Sequence, residues 1–132
     1  MTAPVRKAGR ILLVEGTEPY RTLIHNMLLA AERMNYETQI CSSLREAVEY
    51  VQDNDYAALI VAPELPDSDG IRTVDTLNKT VPDSPIVVLT GFYDVEVGRR
   101  AVREGKAIAT LEKDGLDVEK LSDAVSKALV RN

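Results

Sequence analysis

Short uninterrupted apolar runs alternate along the chain with longer stretches in which apolar residues recur every three or four positions. That is the pattern of strands buried on both faces and joined by amphipathic helices. Ile11-Leu-Leu-Val14 is the first run, and the helix predicted after it carries Tyr20, Leu23, Ile24, Met27, Leu28 and Ala31 on one side, with Pro19 suited to its first turn. A weaker strand follows near Tyr36 to Cys41, and Ser42 or Ser43 can cap a helix with the stripe Leu44, Ala47, Val48 and Val51. Ala57 to Ala62 reads as the third strand, and after a Pro66 to Gly70 turn Ile71, Val74 and Leu77 mark the third helix. Ile86-Val-Val-Leu89 reads as a central strand, Val95 to Arg103 as a fourth helix and Ala107 to Leu111 as a fifth strand. The last helix carries Val118, Leu121, Ala124, Val125, Ala128 and Leu129. Five β-α units predict an α/β domain with a parallel sheet and right-handed crossovers.

Composition narrows the function. The 132 residues, 45% apolar, suit a single domain, with 1–9 expected to be a short leader and 10–132 the folded unit. A formal charge of -5, from 21 acidic and 16 basic side chains, argues against a general nucleic-acid binder, which needs clustered cations. Cys41 is the single cysteine, so no intrachain disulfide or cysteine-rich metal site can form, and a reduced, cytoplasmic setting is the default. Its thiol is expected to be half-buried near a strand end. The first ten residues hold no apolar stretch fit for a signal peptide or membrane span. His25 falls between the apolar positions of its helix and is expected to face solvent; with one His and one Cys, a catalytic triad or His-rich metal site has no material.

A doubly wound sheet gathers its site at the carboxyl ends of the strands, which here means Glu15, Gly16, Ala62, Thr90 and Lys113. The chain resembles the receiver domain of bacterial two-component response regulators over almost its whole length. The matching pieces are Ile11-Leu-Leu-Val-Glu15, Leu65-Pro-Asp-Ser-Asp-Gly70, Pro85-Ile-Val-Val-Leu-Thr90-Gly91 and Leu111-Glu-Lys113. The resemblance implies a flavodoxin-like (βα)5 fold with strand order 2-1-3-4-5. In that family an acidic pair after the first strand and an aspartate ending the third hold Mg²⁺, and the aspartate is the phosphoryl acceptor. A threonine or serine after the fourth strand and a lysine after the fifth contact the phosphoryl oxygens. Carried over, the acidic pair becomes Glu15 and Gly16, the acceptor becomes Ala62, and the contact residues become Thr90 and Lys113. The aromatic whose inward rotation reports activation becomes Thr110. The resemblance thus implies a degenerate pseudo-receiver with no Mg²⁺ site, no cofactor and no enzymatic activity.

Some positions keep two readings. Thr90 suits a strand end on any account, and Lys113 is either a solvated loop lysine or, as expected here, an ion-pair partner of Glu15. Asp67 and Asp69 read as turn residues bonding to their local backbone, and Glu64 sits on a loop too loose for transfer chemistry. Arg99, Arg100 and Arg103 cluster on the fourth helix. The resemblance makes this helix, with the fifth strand and fifth helix, a candidate partner surface; the opposing reading is a solvated face neutralised by Glu96 and Glu104. Glu104-Gly105-Lys106-Ala107 is one residue longer than the related pattern. The sequence ends at Asn132 just after the last helix, so output is expected to come from a partner. The expectation is a stand-alone, phosphorylation-independent interaction module whose partner is a histidine kinase or another two-component protein, with a homodimer left open and no nucleic-acid or membrane partner. Two rivals stand beside it. One is a phosphorylated receiver with an atypical acceptor; the other is a small-anion or metabolite sensor using Thr90, the Gly91 backbone and Lys113 in a cleft less repellent to anions. No glycine-rich phosphate loop is present to make a nucleotide specific.

Overall fold

A computed structural model describes residues 9–31 and 36–130, so the expected leader lies almost wholly outside the described residues. Five strands alternate with five helices: β1 (Arg10–Val14), α1 (Tyr20–Ala30), β2 (Glu37–Cys41), α2 (Leu44–Asp53), β3 (Ala58–Val61), α3 (Gly70–Thr80), β4 (Ile86–Thr90), α4 (Val95–Arg103), β5 (Ala109–Glu112) and α5 (Val118–Val130). The sheet is parallel throughout, in the order β2-β1-β3-β4-β5. Order reverses between β1 and β3, which places the cleft there.

The strand period of two divides the core. Leu12, Val14, Leu59, Val61, Ile86 and Val88 point to one face and pack with Ala47, Val51, Val74, Leu77 and Ala101 from α2, α3 and α4. Ile11, Leu13, Ala58, Ile60, Val87 and Leu89 point to the other and meet Ile24, Leu28, Leu121, Val125 and Ala128 from α1 and α5. Both faces are therefore covered, which is why the central strands show no polar alternation.

Several boundaries differ from those read in the sequence. β3 stops at Val61, and Ala62 passes into the loop while its N–H still donates to Val14 O at 2.9 Å. β5 begins at Ala109 because the preceding residues close α4: Lys106 N–H donates to Ala101 O, Gly105 N–H to Val102 O, and Gly105 adopts φ +73°. This is a Schellman closure, and the left-handed residue is the glycine that makes it cheap. On α1, Leu23 is 47% exposed because only Ile24 and Leu28 reach the core fully, and Ala31 is buried beyond the helix end. His25 is half-buried rather than solvent-facing, beside Leu29 and Tyr36. Cys41 is buried rather than half-buried, in the core cluster that holds Val14, Ala47 and Val51; burial, with the nearby Glu46 charge, pushes its thiol up to about 12.

Candidate functional site

The carboxyl ends of four strands deliver the side chains that the sequence singled out. Glu15 follows β1, with its N–H on Cys41 O; Ala62 follows β3; Thr90 ends β4; and Lys113 follows β5, its N–H donating to Thr90 O at 2.8 Å. Glu15 is completely buried, and Lys113 Nζ donates to its Oε1 at 2.9 Å. The Lys113 side chain is 13% exposed, and the ring of Tyr20 covers the ammonium with its centroid at 4.6 Å. Thr17 N–H donates to the same Glu15 oxygen at 3.3 Å, while Oε2 is buried without a hydrogen bond among the described residues. A buried carboxylate stays charged only beside such a cation. Glu15 and Lys113 thus act as one neutral unit.

The other donors of the cleft are also occupied from within. Thr90 Oγ1 donates to Leu111 O at 3.4 Å. Gly91 N–H donates to Asp94 Oδ1 at 2.5 Å, and Asp94 is itself 8% exposed. Asp94 stands at the N-cap position of α4, yet its carboxylate makes no bond to the helix and turns back into the cleft instead. The three groups that would receive an anion therefore already hold oxygens of the chain.

A divalent cation does not fit the residues present. Gly16 supplies no carboxylate, and a Cβ there would meet Pro66 Cδ at 3.0 Å, Ser42 O at 3.3 Å and Leu65 Cδ2 at 3.5 Å. The β3-α3 loop fills the space that a second acidic side chain would enter. Ala62 adds only a buried methyl, and among the described residues no group of three His, Cys, Asp or Glu side chains is placed to hold a metal. That loop is firmly held. Thr73 Oγ1 donates to Pro63 O at 2.8 Å and lies 2.7 Å from Ser68 Oγ. Asp67 is not confined to its own turn, as the sequence suggested; its two carboxylate oxygens accept from Leu44 N–H and Arg45 N–H at 2.9 and 3.0 Å. Ser43 Oγ accepts from Glu46 N–H at 3.1 Å, so two side chains cap the first turn of α2. Those backbone donors, Leu44 first, hold the Asp67 carboxyl below its ordinary range.

Thr110 lies on β5 directly beneath α4. Its Oγ1 is buried without a hydrogen bond, and a Cβ at Gly98 would sit 1.9 Å from that oxygen and 3.0 Å from Thr90 Cγ2. α4 approaches the sheet as closely as a backbone can. Gly98 was not singled out from the sequence, although an isolated glycine inside a helical pattern is the signal for such an approach. Nor was Asp94, which reads as an ordinary cap.

On α4, Arg100 Nε lies 2.7 Å from Glu104 and Arg103 lies 3.1 Å from Glu96, the two acids expected beside the arginine cluster. Arg99 alone remains exposed without an ion-pair partner among the described residues. Phe92 and Tyr93, in the β4-α4 loop, were not singled out from the sequence; they are 88% and 98% exposed and meet edge to face with centroids 5.2 Å apart.

Residues 11–126 match the response regulator receiver domain. The chain is similar to the photosynthetic apparatus regulatory protein RegA of Cereibacter sphaeroides, with 30% identity over 95 residues, 72% of this chain and 50% of that protein. It spans about half the length of the RegA proteins that it matches. Among solved structures, the signal receiver domain of an HD domain-containing protein from Pseudomonas fluorescens Pf-5 aligns with a TM-score of 0.81 at 24% identity, covering 98% of this chain and 93% of that one. A receiver domain protein from Clostridium thermocellum aligns with a TM-score of 0.81 at 23% identity, covering 93% and 95%. These two likenesses bear on the fold, and the strand order 2-1-3-4-5 agrees with them.

Proposed function

The chain belongs to the response regulator receiver domain family of two-component signalling, and from that premise we propose that it is a degenerate member, a pseudo-receiver that works by binding a protein partner without being phosphorylated. The observation that carries this reading is the self-occupied cleft. Lys113 is committed to the buried Glu15 at 2.9 Å, the Gly91 N–H to Asp94, and Ala62 offers a methyl group where a nucleophile would be needed. On this reading the domain is not an enzyme, needs no metal, acts in the cytoplasm, and passes its signal to another two-component protein such as a histidine kinase.

The same geometry weighs against both rivals. An atypical acceptor would have to lie near Lys113 and Thr90; the buried carboxylates there, Glu15 and Asp94, are already bonded, and the exposed ones, Glu112 and Asp114, flank a lysine whose ammonium is committed to Glu15. An anion sensor would need donors that the chain already satisfies, and displacing a buried carboxylate from its cation leaves a charge unpaired.

Intact-mass measurement after incubation with a small-molecule phosphodonor and Mg²⁺ tests the proposal. No added mass is expected. Stoichiometric gain of one phosphoryl group would overturn it, and peptide mapping would then identify the acceptor.

A further inference from the structure

If the domain works by binding a partner, the structure also indicates where and to what. Between α1 and the β4-α4 loop runs a cleft of about 420 Å³ floored by Tyr20, Thr90 and Lys113 and rimmed by Phe92, Glu112 and Asp114. Its charge is not what its lysine suggests. The Lys113 ammonium is cancelled by Glu15 at 2.9 Å and covered by Tyr20, which leaves Glu112 and Asp114 as the remaining charges of the lining. Both are exposed and lack an ion-pair partner among the described residues.

The rim beside them is aromatic. Phe92 is the single phenylalanine of the chain, and it is 88% exposed; Tyr93, edge-on to it, is 98% exposed. Two almost fully solvated aromatic side chains on one loop are not explained by the core, which closes without them. An aromatic face attracts a cation through its quadrupole, and a carboxylate holds a guanidinium through paired charge-assisted hydrogen bonds.

The geometry points to this cleft as the docking site for a basic, partly apolar segment of a protein partner, with an arginine seated between Phe92 and the Glu112 and Asp114 carboxylates. Charge complementarity selects that occupant. Apolar neighbours of the arginine would lie against Tyr93 and Tyr20. Arg99 and Lys120 line the adjoining depression beyond the same two acids, and Lys120 Nζ is held by Gly115 O at 3.0 Å. They bound the acidic stretch on that side and limit the site to a short segment. The contact thus shifts from the α4 arginines to the loop before them.

The assignment rests on the interaction reading, and the test separates the two. The isotopically labelled domain is titrated with an acetylated hexapeptide in which two arginines alternate with leucines, and with its glutamate counterpart. Amide shifts should saturate with the arginine peptide and centre on Gly91, Phe92, Tyr93, Glu112 and Asp114. Affinity should fall at least about tenfold for the glutamate peptide, and similarly for Glu112→Gln with Asp114→Asn and for Phe92→Ala, the loss of roughly one charge-assisted contact. These substitutions lie at exposed positions, so the fold persists. Equal binding of the two peptides, indifference to both variants, or no saturable shifts would overturn the assignment. Phosphoryl uptake by the same sample would instead overturn the reading on which it rests.

Discussion

Glu15 and Lys113 stand 98 residues apart and meet at 2.9 Å, so their coupling is a property of the fold and not of local sequence. Lys113→Met leaves a fully buried carboxylate without its cation, and equilibrium urea unfolding should show a loss of about 3–5 kcal/mol. Glu15→Gln should cost less, because an ammonium at 13% exposure can turn toward water. The double-mutant cycle should give a coupling of at least about 1 kcal/mol; a coupling near zero would show that the pair holds nothing in place. Cys41 gives a second prediction at this scale. Burial has pushed its thiol up to about 12, so alkylation by iodoacetamide at pH 8 should be very slow in the folded domain and rapid in urea. The pair could be anticipated because both residues follow strand ends. The burial of Cys41 could not, because no feature of β2 alone says which side chains will close over its end.

At the scale of elements, α4 is distinguished by how tightly it sits. Gly98→Ala should improve helix propensity by about 1 kcal/mol, yet its methyl would lie 1.9 Å from Thr110 Oγ1. Net destabilisation of about 1–3 kcal/mol is expected from overpacking, and Thr110→Ala should relieve part of it in the double variant. A stabilised Gly98→Ala would mean that α4 can lift from β5. The far end of α4 is tied down by charge: Lys106 Nζ lies 2.6 Å from Asp75 and 2.8 Å from Glu104, which also pairs with Arg100. The Lys106 and then the Arg100 hydrogen bonds lower the Glu104 carboxyl to about 2. A depressed carboxyl contributes stability that is present above the ordinary glutamate range and lost as pH falls through about 2. NMR titration should place the Glu104 midpoint there, and Lys106→Met should move it upward; an ordinary midpoint in the parent domain would remove the network. All five helices were legible from apolar periodicity. The start of β5 was not, because the Schellman closure takes residues that read as strand by composition alone.

For the whole molecule, the cleft offers a divalent cation too few carboxylates, and the β3-α3 loop crowds the position where a second would stand. Millimolar Mg²⁺ should leave the melting temperature where an equal ionic strength of Na⁺ leaves it; a saturable rise would show a site that forms without a second carboxylate beside Glu15. The sequence by itself determined the five β-α units, the single core divided by strand alternation, and the presence of Glu15, Gly16, Ala62, Thr90 and Lys113 at strand ends, because periodicity and position along a strand are local quantities. Only the tertiary structure decided that Glu15 is wholly buried and Lys113 covered by the Tyr20 ring, that Asp94 turns back onto Gly91, that Asp67 reaches across to cap α2, and that Phe92 and Tyr93 stand in water. Each of these depends on which distant group lies within a few ångströms, and burial, charge pairing and exposure arise only when the elements pack together.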